Sequence, residues 1–249
     1  MGPSLILLTP AAAHEKRVAR HGMMTVRAAQ DGVEIDAMVV MRVGGERAVS
    51  VLSRYDLNRD GKLNAAEGAL LAFGRGVFAW HETHGFCSRC GGKTEMCDGG
   101  HRRKCTNCGA SHYPRVDPAV IMLVRRGDKV LLGHNKRRPA KWFSCFAGFV
   151  EIGETLEEAV AREVLEEAGV KTTAVKYFAS QPWPFPSSLM LGYFADSPEG
   201  EPKPDMEEIV ETRWFSRDEI RDIESTEYRL PPPDSMARQL MAAWVEGRD

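Results

Sequence analysis

The chain has 249 residues, 43% of them apolar and 27% charged, with a formal net charge of −2. That composition fits one large or two modest globular domains with a real core, and it excludes a disordered or collagen-like chain. No apolar run approaches the ~18 residues of a membrane span, and the apolar stretch 5–8 is too short, with no basic region before it, to be expected as a signal peptide.

In chain order, residues 38–43 and 48–52 read as short strands about the turn signal Gly44 and Gly45. Residues 56–67 follow EF-hand loop spacing, with Asp56, Asn58, Asp60 and Glu67 at oxygen-ligand positions for Ca²⁺ and Gly61 at the sharp turn. The competing reading makes Asn64 and Glu67 the start of the next helix. That helix is expected over 65–84, where Leu70, Leu71, Phe73, Val77, Phe78 and Trp80 form an apolar stripe. Cys87, Cys90, Cys105 and Cys108 then make two C-x2-C knuckles, a spacing that can present four thiolates tetrahedrally to one structural Zn²⁺. Such a ribbon also serves as a nucleic-acid adaptor or a protein contact. Cys97 and His101 lie between the knuckles and read as bystanders. The cysteines make no disulfide framework, so a reducing cytoplasm is expected. Residues 86–141 hold 13 Lys and Arg against four acids, which is either an anion-facing surface or a solvated basic face.

Residues 119–124 and 129–133 are short apolar strands about Arg126, Gly127 and Asp128, a hairpin signal. Residues 143–150 lead into 148–170, GFVEIGETLEEAVAREVLEEAGV. A helix should start near Thr155, with Glu158 completing a capping box, and stop at Gly169. Leu156, Ala159, Val160 and Val164 form its core face. Glu163, Glu166 and Glu167 fall at i, i+3 and i+4 on one other face. Like charges so placed weaken a helix, unless a hard cation such as Mg²⁺ or Mn²⁺ sits on them. Gly148 permits close backbone approach, and Glu154 and Arg162 are expected to pair.

Residues 180–188, SQPWPFPSS, alternate three prolines with Trp183 and Phe185. Fixed φ angles either hold the two rings out for a flat ligand or pack them into the core, and the residues alone leave both readings open. Residues 190–194 and 212–215 are further strands. Residues 218–223 and 235–246 read as helices on either side of Pro231, Pro232 and Pro233.

The stretch 148–170 reads G-x5-E-x7-R-E-U-x-E-E-x-G-U, with U aliphatic, and so fills every fixed position of the Nudix box. Together with SQPWPFPSS, the four-Cys ribbon, Tyr113 and Pro114, it resembles the NADH pyrophosphatases of the Nudix superfamily from about residue 65 onward. The resemblance implies an α/β (α+β mixed) fold: a Nudix α/β/α sandwich with a mixed sheet, preceded by a zinc ribbon and a small N-terminal mixed domain. The expected boundaries are 1–84, 85–112 and 113–249, the first of them lying mostly upstream of the resemblance. It also implies metal-dependent hydrolysis of the NAD(H) diphosphate to nicotinamide mononucleotide and AMP, and removal of NAD caps from RNA 5′ ends. Glu163, Glu166 and Glu167 would be catalytic. Ala147 (through its carbonyl), Glu163, Glu167 and, six residues before Trp214, Glu208 would hold Mg²⁺ or Mn²⁺. Substrate contacts would come from Tyr113, Phe149, Gln181, Pro182, Trp183, Pro184, Phe185, Pro186, Ser187, Ser188 and Ala237. In the family the aromatics matching Tyr113 and Phe149 come from different subunits, which implies a homodimer. An acidic ribbon residue common in the family is not matched here: Gly99 and Gly100 stand in that region, with Asp98 nearby. Two other readings stand beside this one: a hydrolase of ADP-ribose or other nucleoside diphosphate derivatives, and a zinc-ribbon RNA-binding module whose Nudix domain only holds a ligand.

Overall fold

The computed structural model describes residues 7–9, 23–30, 33–40 and 65–249, with side chains from residue 72 onward. The chain divides into two units, Met1–Val116 with Trp183–Ser187, and Asp117–Pro182 with Ser188–Asp249.

In the first unit, β1 (Leu7–Thr9), β2 (Met23–Gln30) and β3 (Val33–Val40) form an antiparallel sheet in that order. The β2–β3 ladder runs from Gln30 opposite Val33 to Met23 opposite Val40. Residues 38–40 of the strand expected at 38–43 are therefore the end of a longer one, and 41–43 lie outside the described residues. The strand expected at 48–52 and the calcium-loop residues Asp56, Asn58 and Asp60 lie outside the described residues, as does the side chain of Glu67. Helix α1 (Ala65–Thr83) follows and buries Val77, Phe78 and Trp80. The ribbon is a second antiparallel sheet of β4 (Thr94–Cys97), β5 (Arg102–Cys105) and β6 (Ser111–His112), with a 3₁₀ turn at Asp98–Gly100. A buried histidine ties α1 to it. Arg103 Nη1 lies 3.0 Å from His81 Nδ1, and His81 Nε2 lies 2.9 Å from the Gly100 carbonyl. Because the guanidinium can only donate, Nδ1 accepts and Nε2 carries the proton. Burial pushes the His81 pKa down to about 4, which keeps the ring neutral.

The second unit is built on a mixed sheet of β7 (Asp117–Arg126), β8 (Lys129–Asn135), β9 (Phe146–Phe149), β10 (Ala174–Trp183), β11 (Ser188–Asp196) and β12 (Ile209–Ser216). The order is β10-β11-β7-β8-β12, with β9 also on β7. β7 and β11 run parallel, while β8 and β9 pair antiparallel with β7. β7 explains the layering. Val120, Met122 and Val124 point to one core with Val160 and Val164, and Ile121 and Leu123 point to another with Leu240 and Trp244. Strand pleating sends alternate side chains to opposite faces, so a strand covered on both faces reads as an unbroken apolar run. Helix α2 (Leu156–Ala168) covers the first face, and α4 (Met236–Val245), preceded by the short α3 (Arg217–Arg221), covers the second. This is the expected sandwich. β10 had no counterpart in the sequence reading, which took 180–188 as a loop; instead the strand runs through Pro182 to Trp183. As the terminal strand of the sheet, β10 can carry a proline that removes a ladder donor.

Candidate active site

The acidic face is held by the local structure that its sequence encodes. Thr155 caps α2, its hydroxyl accepting from Glu158 N while the Glu158 carboxylate accepts from Thr155 N, so the capping box is complete. Such a cap contributes about 1 kcal/mol. Gly169 closes the helix at φ 67°, a left-handed conformation that costs glycine little. One face of α2 buries Ala159, Val160 and Val164, which turns Glu163 toward Gly148 and Glu167 toward Ala147.

Arg162 organises that loop. Its Nε and Nη2 donate to the two oxygens of Glu154 at 2.7 and 2.9 Å, as expected for an internal pair. Nη2 also donates to the Phe149 carbonyl at 2.9 Å, and Nη1 reaches Glu163 at 2.7 Å and Glu166 at 3.2 Å. One planar fork thus fixes the loop and two of the three helix carboxylates. Glu154 also accepts from Glu151 N at 3.0 Å, and its carboxyl is held below the usual range chiefly by Arg162.

Glu167 is the unusual group. It is 7% exposed and accepts a 3.3 Å hydrogen bond from Ala147 N, on β9. Burial, then the charge of Glu163, push its pKa up to about 8, with Glu208 and Asp205 adding to the repulsion. Burial raises Glu163 as well. Glu208 stands at the entrance to β12, with Asn135 Nδ2 donating to its Oε1 at 3.0 Å. The turn carrying it is fixed by Asp205, whose Oδ1 accepts from the backbone N–H groups of Glu207, Glu208 and Ile209 at 2.8–3.0 Å. Sequence reading missed both Asn135 and Asp205. The signal for Asp205 was an aspartate placed to bond the backbone just after it, but Asn135 is three strands of sequence away from Glu208 and gave none. Carboxylates crowded into partial burial resist ionisation unless a cation joins them. The donor set, all oxygen, suits a hard divalent ion, and bare Gly148 leaves the room that the Glu163 carboxyl occupies.

In the first unit, the four predicted cysteine ligands converge, with all four sulfurs within 4.8 Å of one another. Cys87 and Cys108 are 3.7 Å apart, and Cys90 and Cys105 3.6 Å, near the separation of about 3.8 Å that tetrahedral Zn–S bonds of ~2.3 Å would give. Backbone N–H groups of Asn107 and Cys108 point at Cys105 Sγ at 3.4 Å, and His112 Nε2 lies 3.2 Å from Cys87 Sγ. The Gly92 N–H, with help from neighbouring side chains, brings Cys90 down to about 6, toward the thiolate a metal needs. The cluster fits a structural zinc. Cys97 and His101 are outside it.

The SQPWPFPSS residues have divided tasks. Gln181 spends its amide on the start of α4, its Nε2 donating to the Asp234 carbonyl at 2.7 Å and its Oε1 accepting from Met236 N at 2.8 Å. It therefore sets the backbone next to the buried Ala237. Trp183 and Phe185 are exposed and lean on each other with centroids 5.1 Å apart and planes tilted at 54°, which rules against the core-packing reading. Arg75 of α1 latches them: Nε donates to the Pro184 carbonyl at 2.8 Å, and the guanidinium lies 4.4 Å over the Phe185 ring. Pro182 and Pro186 are exposed, Pro184 partly so, while Ser188 opens β11. Tyr113 and Phe149 are 66% and 59% exposed.

A glycine-led loop clamped to an acidic helix, over a mixed sheet between helices, defines the Nudix class of hydrolase domains. Residues 115–237 match the NUDIX domain, and residues 82–113 match the NADH pyrophosphatase zinc ribbon domain. Human NAD-capped RNA hydrolase NUDT12 is 43% identical over 198 residues, covering 74% of this chain and 43% of that protein. NAD-capped RNA hydrolase NudC of Haemophilus influenzae is 40% identical over 189 residues, covering 74% of this chain and 69% of its own length. The crystal structure of a NUDIX hydrolase from Nitrosomonas europaea superposes with a TM-score of 0.53 at 28% identity, covering 66% of this chain and 91% of that one. The chain belongs to the Nudix family, in the branch that carries the NADH pyrophosphatase zinc ribbon. It spans less than half the length of the human relative it matches.

Proposed function

We propose that the protein hydrolyses the diphosphate of NAD(H), giving nicotinamide mononucleotide and AMP, and removes NAD caps from RNA 5′ ends. The observation that carries this reading is the buried Glu167 carboxyl, crowded by Glu163 and Glu208 beside the clamped Gly148 loop. It fits Mg²⁺ or Mn²⁺ held by Glu163, Glu167, Glu208 and the Ala147 carbonyl. Such ions, when bound, neutralise the diphosphate and lower the pKa of an attacking water. The rest falls to the chain. Arg162 fixes Glu163 and Glu166, and Asn135 with Asp205 fixes Glu208. A carboxylate of the Glu163, Glu166 and Glu167 set accepts the water's proton as its oxygen bonds to phosphorus and the bridging P–O bond breaks.

Selectivity for the nicotinamide end is assigned to Trp183, Phe185, Tyr113 and Phe149, all exposed aromatics. In this reading Tyr113 and Phe149 act from two subunits of a homodimer, and the backbone of Ala237 adds a contact. The curated relatives are named for NAD-capped RNA, which supports the RNA substrate. Among the described residues no helix is long and apolar enough to cross a membrane, and the cysteine usage suits the cytoplasm. Turnover of NADH, ADP-ribose and NAD-capped RNA, measured side by side with Mg²⁺ and Mn²⁺, tests the reading. NADH and capped RNA should exceed ADP-ribose in kcat/KM. Preference for ADP-ribose would favour the broader hydrolase instead.

A further inference from the structure

The second unit has a cavity of about 430 Å³ lined by Trp142, Tyr228, Arg229, Arg238 and the three prolines Pro231, Pro232 and Pro233, none of which has a role in the diphosphate chemistry. Its position relative to Glu208 is informative. Lys136 N donates to the Glu208 carbonyl at 3.0 Å, so the loop after β8 starts against the proposed metal edge. Within seven residues that loop presents Lys136, Arg137, Arg138 and Lys141, then enters the cavity wall at Trp142, which bridges to Arg229. Lys136, Arg137 and Arg138 are exposed. With Arg229 and Arg238 the track and cavity carry six cations, against Glu224 in the lining and Glu227, which pairs with Lys141 at 3.6 Å. This is local excess positive charge in a chain whose net charge is −2.

The two aromatic rings of the lining are not equivalent. Tyr228 is already packed edge-on against Phe143 and Phe215 and carries Arg213 at 4.3 Å. Trp142 is only partly buried, with Arg138 at 5.9 Å as its ring partner. A basic track ending at an accessible indole beside arginines is the chemistry of a single-stranded polynucleotide path: cations follow the phosphates and the ring stacks a base.

We propose that the 136–141 loop and the Trp142 cavity bind the RNA chain that follows the cap, with the loop cations on the phosphates and Trp142 stacking a base. The inference rests on the capped-RNA reading of the same active site, and it assigns free NADH no contact with this track. An interaction with an acidic protein segment would use the same cations but would not need the indole.

The test uses the full chain and a 3′-fluorescein-labelled ten-nucleotide RNA bearing a 5′-monophosphate, followed by anisotropy across a salt series. The double variant Arg137→Gln/Arg138→Gln should weaken binding at least tenfold at low salt and reduce the slope of log K against log salt by about 1.4, two contacts at ~0.7 each. Trp142→Leu, which keeps an apolar side chain, should weaken binding by about five- to one-hundred-fold and leave the slope unchanged. NADH kcat/KM should stay within twofold in both variants. Wild-type RNA affinity in the variants, or a parallel loss of NADH turnover, would overturn the proposal, as would no saturable RNA binding by the wild type. Loss of RNA affinity in Arg137→Gln/Arg138→Gln without any effect of Trp142→Leu would reduce the track to a general anion surface and overturn it too. Because the RNA measurement needs no catalysis, a wild type that binds RNA at this track but does not cleave NADH would sink the hydrolase reading alone.

Discussion

A Cβ added to Gly148 would stand 1.9 Å from the Glu163 carboxyl, so the missing side chain at 148 and the place of the Glu163 carboxylate are one feature. Contacts below about 3 Å force something to move, and here Glu163 is also held by Arg162 at 2.7 Å. Gly148→Ala should therefore displace Glu163 and lower kcat/KM on the order of 100-fold, with weaker Mn²⁺ binding. The sheet and helix cores lie elsewhere, so circular dichroism should remain that of the wild type. Near-normal activity in Gly148→Ala would show that the carboxylate position is not critical.

Glu167 makes the site pH-sensitive with a definite sign. Its pKa is raised from 4.5 to about 8 in the folded, metal-free chain. Between those values the folded state holds a proton that the unfolded state has lost, so stability from this group is fully present below about 4.5 and is lost as pH rises through 8. Metal-free Glu167→Gln should therefore match wild-type Tm near pH 5 and exceed it at pH 8.5. Divalent ions must displace the same proton, so Mn²⁺ affinity should rise with pH, by up to tenfold per unit, and level off above about 8. Calorimetric titration at several pH values reads this directly. A flat affinity profile would mean that Glu167 is already ionised.

Arg75 is the only link described between α1 and the Trp183–Phe185 segment that combines a hydrogen bond with a cation over a ring. Arg75→Lys cannot reproduce the Nε donor or the guanidinium over the ring. If those rings select nicotinamide, KM for NADH should rise about tenfold, equivalent to ~1.4 kcal/mol, with little change for ADP-ribose. Steady-state kinetics with both substrates decides it. Equal changes on both would make Arg75 a structural residue.

Much of this architecture is written in short-range pattern. The α2 ends follow from Thr155, Glu158 and Gly169, and the β7–β8 hairpin from Gly127 between two apolar runs. The zinc cluster follows from cysteine spacing alone. What escaped the sequence depends on partners distant in the chain. β10 is a strand because it is an edge, although Pro182 argues against one locally. Arg75 reaches Pro184 across 109 residues, and Asn135 reaches Glu208 across 73. The bonds of the Gln181 amide to the 234–236 segment likewise join positions more than 50 residues apart. The β2–β3 ladder, with Gln30 opposite Val33, is not announced by the sequence reading, and Gly44 and Gly45 lie outside the described residues.

The most direct test of the central claim is product analysis of NADH incubated with the protein and Mn²⁺ in ¹⁸O-water. The account predicts equal amounts of AMP and reduced nicotinamide mononucleotide, one ¹⁸O per cleavage carried by whichever product held the attacked phosphorus, and a loss on the order of 10²–10³-fold in Glu167→Gln. Absence of AMP, or AMP formed at the same rate by Glu167→Gln, would contradict it.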